Sequence, residues 1–205
     1  MRFLGNKEAI IQEISEFVFD NIKYSDTMIF FDAFCGTGSV CDFFKDKFDI
    51  VINDNLKWAT TYTAGRLIAD KCTFEELGFD PFDYLNSNDN FSKGYMYYNY
   101  APTKSSRMYF TQENAGRIDY FRETIEIWAK QNKISKEEEI YLLSCLVESV
   151  SSVSNTAGVY GSFLKKWDSR ALKPIKFIKP LSRNTQLKDI KIFNDKIENI
   201  IGSVN

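Results

Sequence analysis

Residues 31–40 read Phe-Asp-Ala-Phe-Cys-Gly-Thr-Gly-Ser-Val, a short apolar run that leads into a Gly-x-Gly turn and then into the start of a helix. The next apolar run ends at an acid, in the sequence Val51-Ile52-Asn53-Asp54. Glycines let the backbone approach a ligand closely, and an acid at the end of the second strand can hold both hydroxyls of a ribose. Because the third glycine of a dinucleotide fingerprint is absent, the pattern favours S-adenosylmethionine over a nicotinamide cofactor.

The composition narrows the chemistry that the chain can perform. No histidine occurs among its 205 residues, which excludes Ser-His-Asp and Cys-His catalysis and argues against a zinc site. The four cysteines have neither the spacing of metal ligands nor that of a disulfide framework. No apolar run approaches a membrane span, which needs about 18 residues, and the N-terminus lacks the apolar core of a signal peptide. We therefore expect a cytoplasmic protein with no metal and no membrane segment.

A basic segment interrupts a chain that is otherwise acidic. The net charge is −2, yet residues 160–191 contain nine basic residues and two acids. Such a segment is typical of contacts to nucleic-acid phosphates, and a solvated lysine-rich loop is the alternative. The basic residues are Lys165, Lys166, Arg170, Lys173, Lys176, Lys179, Arg183, Lys188 and Lys191.

The hydrophobic pattern predicts an α/β fold in which a parallel sheet is interrupted by helices. The predicted strands are 28–34, 50–53, 175–178 and 190–194. The predicted helices are 7–22 with Asn6 as its N-cap, 39–47, 57–70, 112–131, 136–153 and 195–201. We expect a Rossmann-like core from residues 1–72 and 173–205. Residues 73–172 are expected to form an inserted, mainly helical region.

Three of these helices have apolar residues at helical spacing, which predicts one buried face on each. The face of the first helix is Ile10, Ile11, Ile14, Phe17, Val18 and Ile22. The face of helix 112–131 is Ile118, Phe121, Ile125 and Trp128. The face of helix 136–153 is Ile140, Leu143, Leu146 and Val150.

Five motifs occur in one order along the chain. They are Arg2-Phe3-Leu4-Gly5-Asn6-Lys7, Phe34-Cys35-Gly36-Thr37-Gly38, Asn53-Asp54, Tyr109-Phe110-Thr111-Gln112-Glu113-Asn114-Ala115 with Ile118-Asp119, and Asn155-Thr156-Ala157-Gly158-Val159-Tyr160-Gly161 before Leu164-Lys165-Lys166-Trp167. Together they resemble the Dam-like family of DNA adenine-N6 methyltransferases, over nearly the whole chain. The resemblance implies an S-adenosylmethionine-dependent methyltransferase sheet with an inserted helical region that recognises DNA.

The resemblance also implies which residues bind the cofactor. Asp54 would accept hydrogen bonds from the ribose hydroxyls, and Asp195 would meet the adenine amino group, although Lys196 follows it where the family commonly has phenylalanine. Each of these acids could instead cap a helix. Lys7 could instead be a solvated lysine at a helix N-terminus. The implied cofactor-binding residues are Lys7, Phe34, Gly36, Gly38, Asp54 and Asp195.

The last motif resembles the segment with which the family faces double-stranded DNA. The implied DNA-binding residues are Asn155, Tyr160, Lys165, Lys166 and Arg170. The aromatic stretch 84–110 could help to grip the duplex or a displaced base by stacking, and the alternative is that its rings form the core of the helical region.

The catalytic motif of the family is absent from residues 1–205. The family carries Asp-Pro-Pro-Tyr after its fourth strand, where two acceptors hold the adenine amino group and the tyrosine stacks on the flipped base. The four prolines of this chain are not adjacent. Asp80-Pro81-Phe82 is a poor substitute, because it follows no apolar strand and lies in the insertion. We therefore expect the N-terminal part of an enzyme, ending before its catalytic loop, and assign no catalytic residue.

The sequence thus predicts a site-specific DNA adenine-N6 methyltransferase of the restriction-modification kind, which transfers a methyl group from S-adenosylmethionine to a flipped adenine in duplex DNA. The chain would be truncated, or paired with a second polypeptide that carries Asp-Pro-Pro-Tyr. Two alternatives remain open. One is a catalytically inactive DNA-binding or regulatory module derived from such an enzyme, and the other is a methyltransferase that acts on RNA or a small molecule.

Overall fold

A computed structural model describes residues 5–158 and 160–204. Residues 2–4 of the first motif and Val159 of the last motif lie outside the described residues. The strands are β1 (Ile29–Asp32), β2 (Asp49–Ile52) and β3 (Ile190–Ile192). The α-helices are α1 (Ile11–Asn21), α2 (Ser39–Phe44), α3 (Lys57–Leu67), α4 (Pro81–Asn86), α5 (Tyr95–Asn99), α6 (Gln112–Lys130), α7 (Lys136–Ser152) and α8 (Ile197–Ile200).

The chain divides into two compact units. The α/β unit consists of Gly5–Cys72 and Leu181–Asn205, and the helical unit contains Thr73–Pro180. Among residues 5–158 and 160–204, none of the helices combines the length and the apolar character of a membrane span.

A three-stranded parallel sheet in the order β1-β2-β3 organises the α/β unit. Parallel neighbours need a crossover connection, and α2 supplies the one between β1 and β2. The predicted parallel α/β character is confirmed. Ile50 and Ile52 of β2 are fully buried, as is Phe44 of α2, because the central strand of a small parallel sheet is covered on both faces.

The first helix is shorter than the predicted 7–22, since α1 spans Ile11–Asn21, and none of its residues is fully buried. The prediction of Asn6 as its N-cap is wrong, because Ile10 holds that position without a side-chain cap; Asn6 Oδ1 instead accepts the Glu8 N–H at 2.9 Å, ahead of the helix. Ile11 is half-buried, whereas the predicted core residues Ile10 and Phe17 are 47% and 70% exposed. A 3-10 turn over Glu8–Ile10 precedes α1.

Helices α6 and α7 form the framework of the helical unit. The predicted face of α6 is confirmed, because Ile118, Phe121, Ile125 and Trp128 are all buried. Helix α7 buries a face next to the predicted one, with Tyr141, Leu142, Cys145 and Leu146 inside.

Side-chain caps define the ends of the main helices in the helical unit. Ser135 and Glu138 form a capping box at the start of α7, and the Glu138 carboxylate also accepts the N–H of Phe74 at 2.5 Å. Asp119 of α6 accepts backbone N–H groups from Gly94, Met96 and Tyr97 at 2.8–3.0 Å. This motif acid therefore anchors the short helix α5 to α6.

The predicted strand at 175–178 is wrong. Ile175 and Phe177 are buried and Lys176 is exposed, which is the alternation of a strand. However, the backbone N–H groups of Ile175 and Phe177 are donated to the side chains of Asn114 and Asn86, each at 2.9 Å. Because side chains satisfy its donors, this extended segment lies on the helices and pairs with no strand of the described chain.

Candidate functional site

The turn between β1 and α2 has the backbone that its two glycines allow. Gly36 has φ +50° and Gly38 has φ +69°, a left-handed region that glycine adopts at little cost. A methyl group placed on Gly38 would lie 2.6 Å from Thr63 Cγ2. Position 38 therefore needs glycine for space as well as for conformation.

Asp54 faces this turn. Its Oδ2 accepts the backbone N–H of Gly36 at 3.1 Å, and its Oδ1 accepts the N–H of Leu56 at 2.9 Å. The Oδ1 bond to Leu56 leads into α3, as the alternative role of Asp54 at a helix start would require. That role does not explain the Oδ2 bond to Gly36. The carboxylate is half-buried, and each ionised oxygen retains further acceptor capacity. The glycine turn and the acid thus lie together at the carboxyl ends of two parallel strands.

Helix α3 holds the carbonyl side of the same turn. Thr63 Oγ1 donates to the Gly36 carbonyl at 3.1 Å, and the Arg66 guanidinium donates to the Thr37 carbonyl at 3.2 Å. Arg66 is in turn paired with the buried carboxylate of Asp42 at 3.0 Å. Sequence reasoning missed this clamp. Polar residues at three-residue spacing on α3, Thr60, Thr63 and Arg66, were the available signal.

Asn53 connects the ends of all three strands. Its N–H donates to Asp32 O, its side-chain amide donates to Ala33 O, and its Oδ1 accepts the N–H of Asp195, at distances of 2.9–3.1 Å. The backbone of Asp195 is therefore held next to β2. The Asp195 carboxylate is exposed, and hydrogen bonds from the Asn199 side chain and the Lys196 N–H hold its pKa below the usual range.

Lys7 and Phe34 both precede the glycine turn in sequence, and both are exposed. Phe34 lies two residues after the end of β1 and is 71% exposed, which is unusual for an aromatic ring so close to a core strand. Asn6, next to Lys7, accepts the hydroxyl of Ser39 at 2.6 Å. The N-terminal motif therefore adjoins the first residue of α2.

Neither thiol beside the turn is suited to act as a nucleophile. Burial raises the pKa of Cys35 to about 12, and burial also raises the pKa of Cys41 well above its usual value. Burial raises the pKa of the Asp32 carboxyl too, although it accepts the Cys41 thiol at 3.2 Å. In residues 5–158 and 160–204, no group of three or more acidic or cysteine side chains is arranged to hold a metal.

In the helical unit, two of the five residues expected to touch DNA have internal partners instead. Asn155 is fully buried, and its side-chain amide donates to Met108 O and Leu164 O at 2.9 and 3.1 Å. The guanidinium of Arg170 donates to Ser154 O at 2.7 Å. This geometry corrects the expectation that Asn155 contacts DNA and gives both residues a role in shaping the loop.

The other three residues are presented to solvent. Lys165 and Lys166 are exposed. Tyr160 is half-exposed, and its ring stacks on Tyr109 with centroids 6.3 Å apart. The hydroxyl of Tyr109 donates to Tyr160 O at 3.1 Å, which fixes the backbone at the tip of the loop.

Asp80 and Pro81 begin a helix. Asp80 Oδ1 accepts the N–H groups of Phe82 and Asp83 at 2.6 and 3.0 Å, and Pro81 occupies the first turn of α4. This arrangement accounts for the Asp-Pro pair without any catalytic role.

Comparisons with known proteins show which family this sequence matches. Residues 3–201 match the family described as D12 class N6 adenine-specific DNA methyltransferase. The chain is 36% identical over 214 residues to Modification methylase LlaI of Lactococcus lactis subsp. lactis, which covers 100% of the chain and 34% of LlaI. It is 34% identical over 213 residues to Type II methyltransferase M.FokI of Planomicrobium okeanokoites, which covers 100% of the chain and 32% of M.FokI.

A shorter relative shares a larger part of its own length. The chain is 32% identical over 194 residues to Type II methyltransferase M.CviAII of Paramecium bursaria Chlorella virus 1, covering 92% of the chain and 55% of that protein. The chain thus spans about a third of the length of LlaI and M.FokI and about half that of M.CviAII. No solved structure shows a significant match to it.

Proposed function

Since the chain belongs to the D12 class of N6 adenine-specific DNA methyltransferases, we propose that its α/β unit binds S-adenosylmethionine and its helical unit binds duplex DNA. The reaction would be site-specific methylation of the adenine N6 amino group, with the role of a modification enzyme. We also propose that the α/β unit is the Rossmann-like core and that the helical unit is the inserted target-recognition region. LlaI and M.FokI are named as modification or type II methyltransferases, which supports this assignment.

The convergence of Asp54 on the glycine turn carries the cofactor assignment. Its Oδ2 lies 3.1 Å from the Gly36 nitrogen, so the carboxylate and the close-approach backbone border the same space. A nucleoside needs a surface that its ring can approach and an acceptor for its ribose hydroxyls. Both are present here, together with an exposed aromatic ring at Phe34.

Each cofactor-binding residue has a distinct task in this proposal. Asp54 would accept the ribose hydroxyls, and Gly36 and Gly38 would admit the nucleoside against the turn. Phe34 would cover one face of the ligand and lose exposed apolar surface on binding. The carboxylate of Asp195, which remains ionised, would accept the adenine amino hydrogens.

The remaining proposed contact comes from the N-terminus. Lys7 would neutralise the carboxylate of the methionyl part. When bound, S-adenosylmethionine supplies a methyl group on a positively charged sulfur, so that an amine lone pair can attack the methyl carbon in line while the sulfur leaves as a thioether. We assign no residue of this chain to the proton that leaves adenine N6.

For DNA, we propose that Lys165, Lys166 and Tyr160 contact the duplex. The two lysines are exposed in a segment rich in basic residues, which suits contacts to successive phosphates. Asn155 and Arg170 would act indirectly, because their polar atoms fix the backbone of the loop that carries the lysines. Phosphate contacts of this kind position a protein on DNA without reading its sequence.

Two binding measurements test the proposal on the whole chain. Isothermal titration calorimetry with S-adenosylmethionine should show binding at one site, and fluorescence anisotropy with duplex DNA should show binding that weakens as salt rises. A folded chain that binds neither ligand would contradict the proposed function.

A further inference from the structure

The helical unit contains a cavity of ≈ 610 Å³ that none of the roles above uses. Its volume lies in the range of small-molecule pockets, which is about 300–1,000 Å³. Phe91 and Tyr97 form an aromatic wall, the first turns of α6 form a second wall, and the extended segment around Ile175 forms a third.

Phe91 is fixed in place although it is 53% exposed. Its ring lies against Gly116 of α6, where an added methyl group would come within 2.5 Å of Phe91 Cδ2. The next residue, Ser92, donates its N–H to the Gly116 carbonyl at 3.0 Å. The ring of Tyr97 stands beside it, with centroids 6.4 Å apart and planes inclined at 37°. An aromatic surface that is exposed yet held rigid loses little entropy when a flat ligand stacks on it.

Internal hydrogen bonds also hold the loop that leads into Phe91. Arg117 donates to Leu85 O, Asn88 Oδ1 and Asn90 O at 2.5–3.1 Å, which fixes the loop before Phe91. These bonds use the terminal nitrogens of Arg117 within the protein. The cavity therefore exists without a ligand to organise it.

Exposed charged side chains lie at the rim of the cavity. Asp89, Glu113 and Lys176 are exposed and line the cavity. Carboxylates accept the amino and imino hydrogens at the edges of nucleobases, and an ammonium donates to their carbonyl and ring nitrogens. Lys176 also belongs to the basic segment 160–191, so a cation suited to a phosphate borders an aromatic surface suited to bases.

From this juxtaposition we propose that the cavity binds a nucleobase of the DNA strand, stacked on Phe91, while Lys176 lies near a phosphate of that strand. The inference rests on the proposed DNA-binding function and adds a base-contacting site inside the helical unit.

The test compares DNA with and without bases. The probes are a fluorescein-labelled single strand of deoxyadenosine and a strand of equal length built from abasic sugar-phosphate units. Binding of each to the full chain is measured by anisotropy for wild type and for Phe91→Leu, which keeps apolar contact with Gly116 but lacks an aromatic face. Phe79→Leu is the matched control, because Phe79 is exposed on the same unit and does not line the cavity.

We expect Phe91→Leu to weaken binding of the base-bearing strand by roughly 5- to 150-fold, the range for lost stacking on one aromatic side chain. Binding of the abasic strand should not change, Phe79→Leu should behave as wild type, and Phe91→Tyr should retain affinity. Thermal unfolding confirms that each variant is folded. Equal losses on both probes, or no loss on either, would overturn the base site while leaving DNA binding intact. A wild-type chain that binds neither probe nor duplex DNA would overturn the proposed function as well.

Discussion

The hydroxyl of Thr63 donates a hydrogen bond to the carbonyl of Gly36 at 3.1 Å, across the turn whose opposite side receives Asp54. Both backbone polar groups of Gly36 are thereby held, its N–H by the acid and its carbonyl by helix α3. A turn fixed in this way has its ligand-binding shape before the ligand arrives.

Thr63→Val should weaken S-adenosylmethionine binding. Valine keeps the volume of threonine but leaves the Gly36 carbonyl without its donor. An unsatisfied buried carbonyl costs about 1–3 kcal/mol, and this cost destabilises the turn. Calorimetry measures the dissociation constant, and Thr60→Val is the control, because Thr60 is also buried on α3 but donates to Lys57 O within its own helix. If both variants lower the melting temperature alike and neither changes affinity, the clamp has no role in cofactor binding.

Asp54→Ala should weaken S-adenosylmethionine binding by about 1–3 kcal/mol, because ribose hydroxyls would lose their acceptor. Part of the effect would come from the Gly36 N–H, which also loses its partner. Asp189→Ala, an exposed acid of the same unit, serves as the control in the same calorimetric titration. An unchanged affinity in Asp54→Ala would remove the ribose contact from the proposal.

The double variant Lys165→Ala, Lys166→Ala should weaken binding to all DNA sequences alike. Each phosphate contact contributes about 0.9 to the slope of log affinity against log salt, so two lost contacts should flatten that slope by about 1.8. Anisotropy titrations over a salt series measure it. Lys130→Ala with Lys136→Ala is the control, since these lysines are exposed on the same unit but pair with Glu126 and Glu139. A slope equal to that of wild type places Lys165 and Lys166 away from the duplex.

Stability should depend on the ionisation of Asp32. Burial raises the pKa of this carboxyl in the folded chain, so the folded state favours the protonated form. Its contribution to stability is full below the unfolded pKa of about 3.9 and is lost as the pH rises through the folded value. The free energy of unfolding of wild type, minus that of Asp32→Asn, should therefore increase as the pH falls from about 7 to about 4. Urea titrations at each pH measure this difference, and a difference that is flat or decreasing would contradict it.

Residues 1–205 alone should methylate duplex DNA slowly or not at all. The segment contains no Asp-Pro-Pro-Tyr, and its Asp80-Pro81 pair is occupied as a helix cap. Transfer of radiolabelled methyl groups to DNA, with detection of N6-methyladenine by mass spectrometry, measures the activity. Rapid transfer by this segment would show that the chain contains acceptors that the sequence did not reveal.

The sequence predicted the parallel α/β core because its signals are local. Apolar runs, the Gly-x-Gly turn and the acid at position 54 lie within one strand-helix-strand segment, and the structure joins them as expected. The strand predicted at 175–178 failed because alternation of buried and exposed residues reports burial, not pairing. The partners of that segment, Asn86 and Asn114, are far away in sequence.

The candidate sites show the same division between local and distant information. The motif around Asn155 is visible in the sequence, yet only the structure shows that its amide lies inside the loop. The clamp from Thr63 and Arg66 depends on how α3 approaches carbonyls that lie 27 and 29 residues earlier, which spacing alone does not determine.

The pairing of Ile50 with Ile190 has a consequence for how the protein is made. The ribosome releases the first of these residues long before the second, so one edge of β2 stays open while most of the chain is synthesised. Thr73–Pro180 is a continuous stretch and is complete before β3 emerges. The helical unit should therefore be able to fold before β3 pairs with β2.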